Sequence, residues 1–448
     1  MSALPPGPTM PRLLQDVGWI ARPLPWLERC RARYGDVFTL NIAQEGAWVM
    51  LAHPDHVKQV FTGDPDVFHA GEANVVLRPV LGPHSVLLLD GPDHIAQRRL
   101  MLPSFHGERM QRYEAVMTAV AEQEVRRWPA GEPFALLPRM QSVTLEVIMR
   151  AVFGFREPDR LAELRARLER MIAETTQMRH MVMMAVLGPD RVESAGLFRR
   201  ALEPVDEMLI DESRRRRAAD DLDERDDVLS LLVQARYEDG RPMSDKELRD
   251  ELITLLVAGH ETTATSLSWA IERLVRHPEK WERLREEALS GEDTYADAVA
   301  KETLRLRPVL PIVVRRLTQP VEIGGWQLPA GAQVTPCIHL VHRRPDVYPE
   351  PHSFRPERFL DQPAGTYTWI PFGGGVRRCL GATFALFEMK TVLKVIAREA
   401  ALRPARQESE RVARRVITLI PGRGTEVVMA PRRSHARVAP AAPAKAAA

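Results

Sequence analysis

Cysteine is scarce in this chain: Cys30, Cys337 and Cys379 are the only three in 448 residues. An odd, sparse set builds no disulfide framework. It suits a reducing compartment, or one thiol kept for chemistry. Charge of one sign is also lacking, since 62 basic residues face 60 acidic ones for a net of +2. That excludes a binder held to nucleic acid by bulk charge. Lysine supplies only seven of the basic residues. No apolar run approaches the ~20 residues a membrane helix needs; the longest, such as residues 252–259, are far shorter. The N-terminus lacks the basic-then-apolar layout of a signal peptide and carries Pro5, Pro6, Pro8 and Pro11 instead. These absences point to a cytoplasmic protein with no membrane anchor.

What is present is ordinary for a globular enzyme, at 45% hydrophobic and 27% charged residues. Residues 1–12 read as a Pro-rich extended lead-in. Residues 37–50 are β-like and broken by Gly46. Residues 94–290 are mostly helical by periodicity. An arginine run and then an acidic run over residues 214–227 read as a solvated loop or helix end. The clearest helix begins at Ser244, which forms a capping-box pair with Glu247, and continues to about Arg276, ahead of His277-Pro278. Another spans residues 296–307. A hairpin is predicted at Gly324-Gly325, an irregular Pro-rich stretch over residues 337–378, a helix from about Leu380 to Glu399, and a last hairpin at Pro421-Gly422-Arg423-Gly424. Helices dominate and the strands cluster late, which gives a mainly α (α+β) fold rather than alternating βαβ units.

The segment richest in chemistry is Phe372-Gly373-Gly374-Gly375-Val376-Arg377-Arg378-Cys379-Leu380-Gly381. A Gly-rich loop brings Cys379 to a helix start, where free N–H groups and two preceding arginines favour a thiolate. The glycines let a flat partner lie against the backbone. No second Cys or His stands at metal-finger spacing, so a zinc site does not fit, whereas a single axial ligand to haem iron does. A buried structural cysteine is the plain alternative.

A second signal is Ala258-Gly259-His260-Glu261-Thr262-Thr263 inside the long helix. Gly259 costs ~1 kcal/mol against Ala in a helix interior, so close approach or a local distortion is expected. Glu261 and Thr262 offer a carboxylate and a hydroxyl for passing protons. The plainer reading is that Gly259 eases packing and Thr262 bonds back to a carbonyl. A His-Glu-x-x-His zinc-protease motif fails, because Ala264 stands at the fifth position.

The Cys segment resembles the haem signature of the cytochrome P-450 family, Phe-x-x-Gly-x-Arg-x-Cys-x-Gly, at every fixed position. The hexapeptide resembles the family's oxygen motif, 117 residues ahead of Cys379 counted from Thr262. The similarity runs over nearly the whole chain and implies a soluble, bacterial-type haem-thiolate monooxygenase. On this likeness residues 1–433 form one domain and residues 434–448 an Ala/Pro-rich disordered tail. The likeness also implies haem between the long central helix and the helix after the Cys loop. The resemblance implies haem b (iron protoporphyrin IX) with Cys379 as axial thiolate, and Phe372, Arg377 and Gly381 at the cofactor. It implies His94, Arg98 and Arg315 as propionate contacts, with Arg316 as the fallback for Arg315. Thr262 and Glu261 would help deliver protons to dioxygen. Glu302, Arg305 and Arg358 resemble the family's buried Glu-Arg-Arg network, a structural brace.

Methionines at 171, 178, 181, 183 and 184 fit the family's mobile roof over the substrate, or an ordinary core. By the same likeness Leu77, Val80, Met178, Met181, Val257, Ala258, Val313 and Ile420 line the pocket. The set is apolar, so the expected substrate is a lipid, terpenoid, steroid or polyketide, taken with O2. The chain carries no dinucleotide fingerprint, so electrons are expected from a separate ferredoxin or flavodoxin and its NAD(P)H reductase. Arg343, Arg344 and Arg378 would offer the positive docking charge. A haem-thiolate isomerase or dehydratase and a haem-based sensor are the alternatives. The stretches His69-Ala70-Gly71-Glu72-Ala73-Asn74 and Leu102-Pro103-Ser104-Phe105-His106-Gly107 resemble a bacterial subgroup of varied substrates.

Overall fold

A computed structural model describes residues 4–42, 46–105, 109–154, 158–431. The tail expected from residue 434 lies outside them.

The Pro-rich start runs extended along the first strand, with Thr39 N–H donating to the Pro6 carbonyl at 3.0 Å. The β-like region forms a hairpin of Val37–Ile42 and Gly46–Leu51, in register Val37 to Leu51. Three later strands complete a five-stranded sheet. Gln333–Pro336 pairs parallel to the hairpin, then Arg315–Leu317 and Phe68–His69 follow antiparallel. This sheet and the helix Pro54–Thr62 share one apolar cluster, which includes Val49, Val57, Phe61 and Val334.

Helices form the main body, around a larger core. Its axis is the helix Asp245–Leu274, 30 residues long, or ~45 Å at 1.5 Å per residue. Both halves of its capping box are present: Glu247 N–H donates to Ser244 Oγ at 3.2 Å, and Ser244 N–H to the Glu247 carboxylate at 2.7 Å. It packs against Leu137–Phe153, Arg199–Arg217, Thr294–Leu306 and Ala382–Glu399.

Three expectations need correction. Residues 421–424 do not close a hairpin. Thr418–Pro421 pairs instead with Val412–Arg415, and the tight turn falls at Val416-Ile417, with Val416 at φ +55°. The strand Glu426–Met429 leaves for another sheet, between Pro133–Ala135 and Leu402–Pro404. The arginine run is not wholly solvated. Arg216 is buried, donating to Asp227, Ser230, Glu212 and the Phe153 carbonyl. The stretch 337–378 is not entirely irregular, since it holds the one-turn helices Ile338–Val341 and Arg358–Asp361.

Candidate active site

The Cys loop lies flat on the helix Pro54–Thr62. Gly373 and Gly375 take φ of +67° and +63°, conformations that glycine alone adopts freely. A Cβ on Gly374 would stand 2.1 Å from the Phe61 ring, and one on Gly375 2.0 Å from the Phe61 carbonyl. Cys379 N–H donates to the Phe372 carbonyl at 2.9 Å, closing the loop. The helix Ala382–Glu399 starts three residues on. A Cβ on Gly381 would meet nothing within 4 Å.

The Cys379 side chain is exposed, yet loss of water to the surrounding protein is the leading cause that raises its pKa. Both hold for a thiol lining an internal cleft. The Gly381 N–H, Arg98 and Arg378 pull the other way and do not prevail.

Basic groups from three segments converge near this thiol. His94 and Arg98 lie one turn apart on the helix Gly91–Met101. Burial pushes the His94 pKa down to about 3, helped by Arg377, Arg98 and Arg315. Arg315 and Arg377 are each lowered to about 10, again by burial first. Asp90 is the carboxylate that opposes the shift at both. Neither the His94 ring nor the Arg98 guanidinium has a hydrogen-bond partner among the described residues. Three guanidinium cations, those of Arg98, Arg315 and Arg377, held together out of water are unfavourable. This donor set fits a ligand with two carboxylates, such as haem. Arg316 is more exposed and pairs with Glu72 at 3.4 Å.

On the central helix, between Asp250 and Glu272, only Leu255, Val257, Ala258, Gly259, Glu261 and Thr262 are accessible. Ala258, Gly259, Glu261 and Thr262 of the motif are thus on the open stripe of an otherwise buried helix, while His260 and Thr263 are buried. Both plain readings of the motif also hold geometrically. A Cβ on Gly259 would come 3.2 Å from Ile148 Cδ1, and Thr262 Oγ1 donates to the Ala258 carbonyl at 2.7 Å. Glu261 turns to other partners. Its Oε2 accepts from Gln141 Nε2 at 2.7 Å, and its Oε1 from Arg415 Nη1 at 3.4 Å. Burial raises its pKa against those two contacts. Arg415 also donates to Thr176 Oγ1 at 3.2 Å.

Among the lining candidates, Leu77, Val80, Val257 and Ile420 are half-buried against the main core, as is Phe372. Val313 packs on the sheet cluster. Leu77 ends the six-residue 3-10 helix Glu72–Leu77, and Val80 sits on the one-turn helix Arg78–Leu81. Met171 belongs to the core. The side chains of Met178 and Met181 lie outside the described residues.

Farther back, Glu302 and Arg305 are fully buried on the helix Thr294–Leu306 and join by two hydrogen bonds, of 2.7 and 2.9 Å. Arg358 Nε reaches Glu302 at 3.2 Å. Arg305 also donates to the carbonyls of His342, Pro351 and Ser353.

A profile of the cytochrome P-450 family matches residues 5–423. The chain belongs to the cytochrome P-450 family. A Mycobacterium tuberculosis protein named provisionally as cytochrome P-450 135B1 is 44% identical over 432 residues, 95% of this chain and 91% of the relative. A second protein of that organism, named provisionally as cytochrome P-450 135A1, is 39% identical over 438 residues, 96% of each chain. Among solved structures, cyanobacterial CYP120A1 with retinoic acid bound superposes with a TM-score of 0.80 at 22% identity. That match covers 96% of this chain and 99% of that one, and it establishes a common fold. This cytochrome P-450 is a monooxygenase, an oxidoreductase whose cofactor is haem held by a cysteine thiolate.

The expected docking charge needs correction. Arg344 is spent on Asp36, Asp346 and the Ala52 carbonyl. Arg343 is mostly buried among Glu28, His352 and the Leu306 carbonyl. Of the three, Arg378 alone is exposed. No helix among the described residues is long and apolar enough to cross a membrane.

Asp90, Gln141, Thr176 and Arg415 were not legible as site residues. Asp90 carried a weak signal, standing directly before the Gly91-Pro92 turn. The other three come from distant segments with no motif around them.

Proposed function

We propose that this cytochrome P-450 inserts one atom of O2 into a largely hydrocarbon substrate, by hydroxylation or epoxidation. Electrons come from a separate ferredoxin or flavodoxin with its NAD(P)H reductase. The observation that carries the site assignment is the gathering of His94, Arg98, Arg315 and Arg377 near an accessible thiol, with Asp90 as the opposing acid.

In this reading Cys379 ligates haem through its sulfur, and the Gly381 N–H directed at that sulfur steadies the negative charge. The four basic groups hold the two propionates. Haem supplies the activation of dioxygen. Thr262 already donates its proton to the Ala258 carbonyl. Its free lone pairs can therefore accept from a proton-bearing group in the cleft. Glu261 is held in place by Gln141 and Arg415, and burial raises its pKa against those contacts, which eases proton uptake at its carboxylate. Glu302, Arg305 and Arg358 brace the segment that leads into the Cys loop. Ala258, Val257, Val80, Leu77, Val313 and Ile420 offer an apolar wall, which favours lipids, terpenoids, steroids or polyketides over sugars and nucleotides.

The test is turnover of an apolar panel under isotopically labelled O2, with a surrogate ferredoxin and reductase. One labelled oxygen per product supports the reading. Product that carries no label, or that forms without an electron donor, overturns it.

A further inference from the structure

We propose that Asp90 positions Arg377 and sets the charge beside the haem carboxylates; this rests on the reading of Arg377 as a propionate ligand. Arg377 is already tied on one side. Its Nη2 donates to Asp90 Oδ1 and to the Leu89 carbonyl, both at 2.5 Å, and its Nη1 to the Val86 carbonyl at 3.2 Å. A guanidinium carries five N–H donors in a rigid plane. Committing some of them to residues 86–90 fixes where the remainder point.

Asp90 can act this way because it is itself immobilised. Its Oδ1 accepts from Ala70 N–H and Gly71 N–H, both at 2.8 Å, and its Oδ2 from Glu72 N–H at 2.9 Å. Charge-assisted bonds of this kind are the strong ones. All three donors belong to the stretch His69-Ala70-Gly71-Glu72-Ala73-Asn74, which the proposed reaction leaves unused. Its composition now has a reason. A Cβ on Gly71 would stand 2.2 Å from the Leu88 carbonyl oxygen and 2.7 Å from Asp90 Oδ2. Asn74 Nδ2 donates to the Leu87 carbonyl at 3.1 Å, joining the same two segments again.

Charged groups continue outward from Asp90. His69 Nδ1 lies 3.8 Å from its Oδ2 and 2.9 Å from Glu72 Oε1, and Arg316 reaches Glu72 at 3.4 Å. His69, Glu72 and Asp90 place ligand atoms within 4.8 Å of one another. Both Asp90 oxygens already accept N–H donors, however, so the arrangement is an ion chain from the surface to Arg377 rather than a cation site. Asp90 also stands at the N-cap position of the helix that carries His94 and Arg98; its side chain makes no cap bond there, but its backbone carbonyl accepts from His94 N–H at 3.3 Å. It therefore joins the start of that helix to Arg377 and to residues 70–72.

The haem-loaded protein tests this with Asp90→Asn, Asp90→Glu, Arg377→Gln and the Asp90→Asn/Arg377→Gln double variant. Two quantities are read: the rate of haem transfer to apomyoglobin, and the one-electron midpoint potential. Asp90→Asn removes a negative charge near the iron, so the ferrous form gains. The expected shift is roughly tenfold in the ferrous-to-ferric ratio, about 59 mV upward. Haem release should quicken by roughly threefold to tenfold as Arg377 loses its direction. Asp90→Glu keeps the charge but displaces the carboxylate, so it should hold the potential while still speeding release. It also serves if Asp90→Asn fails to fold. In the Arg377→Gln background, Asp90→Asn should add little to the release rate. Unchanged potential and release in Asp90→Asn, with both altered in Arg377→Gln, overturn the proposal. So do additive effects on release, or an Asp90→Glu protein that releases haem like the wild type. If Arg377→Gln itself changes neither quantity, the propionate reading is what fails, and the role of Asp90 goes with it.

Discussion

Thr262 and Glu261 are adjacent in sequence, yet their side chains serve different neighbours. Thr262 bonds back to its own helix, while Glu261 reaches across to Gln141 and Arg415. Replacing Thr262 by Ala should leave the fold and haem intact, because that hydroxyl bonds only within its own helix turn. Product formed per NAD(P)H consumed should drop by several-fold, and unaltered coupling would contradict the proton role. A second residue-scale expectation concerns Glu251, fully buried on the same helix. It accepts from Val86 N–H and Gln97 Nε2, and burial lifts its pKa from 4.5 to about 8. The native state then holds a proton that the unfolded chain has lost between those values. The resulting stability is present in full below pH ~4.5 and fades as pH rises through ~8. Glu251→Gln should abolish that decline, so its melting temperature should overtake the wild type between pH 6 and 9, by an amount worth roughly several kcal/mol. Parallel pH profiles for the two proteins would refute this. Residue roles were legible where the chemistry is contiguous, as in the Cys loop and the 258–263 hexapeptide. They were hidden where a partner arrives from elsewhere in the chain. Nothing near Arg415 announces that it meets Glu261, 154 residues away.

At the scale of elements, the helix Thr294–Leu306 depends on buried charge. Glu302 and Arg305 are both fully buried, and Arg305 also satisfies three carbonyls in the stretch toward the Cys loop. Removing one member of such a pair strands the other in low dielectric. Glu302→Ala should cost about 3–5 kcal/mol and leave little haem-containing protein, as read by denaturant melts and haem content. Arg358 is slightly exposed and reaches Glu302 only through Nε, 3.2 Å from each carboxylate oxygen, so Arg358→Ala should cost less. Equal losses for the two would show that the brace is not centred on Glu302. Elements with local start signals were readable, above all the Ser244 capping box. The last hairpin was misread because Pro421-Gly422-Arg423-Gly424 has turn chemistry in either topology. What decides the pairing is that Val427 and Val428 are buried between strands from residues 133–135 and 402–404. The arginine run was misread because charge patterning cannot show that Asp227 and Ser230 fold back onto Arg216.

For the molecule as a whole, the helical core and the sheet cluster meet where the Cys loop rests on Phe61. Electron delivery is a whole-molecule property as well. With Arg343 and Arg344 committed internally, Arg378 is the remaining exposed charge of that group. Arg378→Glu should slow reduction by an acidic ferredoxin by several-fold at low salt and little at high salt. Reversing Arg343 and Arg344 should instead lower stability. A salt-independent reduction rate in both proteins would place docking elsewhere. The thiolate at Cys379 is tested most directly by the absorption spectrum of the ferrous, carbon monoxide-treated protein. The wild type should give the red-shifted band that thiolate coordination produces, and Cys379→Ser should lose it while the overall fold remains. A wild-type spectrum without that band, or a Cys379→Ser protein that keeps it, would mean the iron is held by some other group.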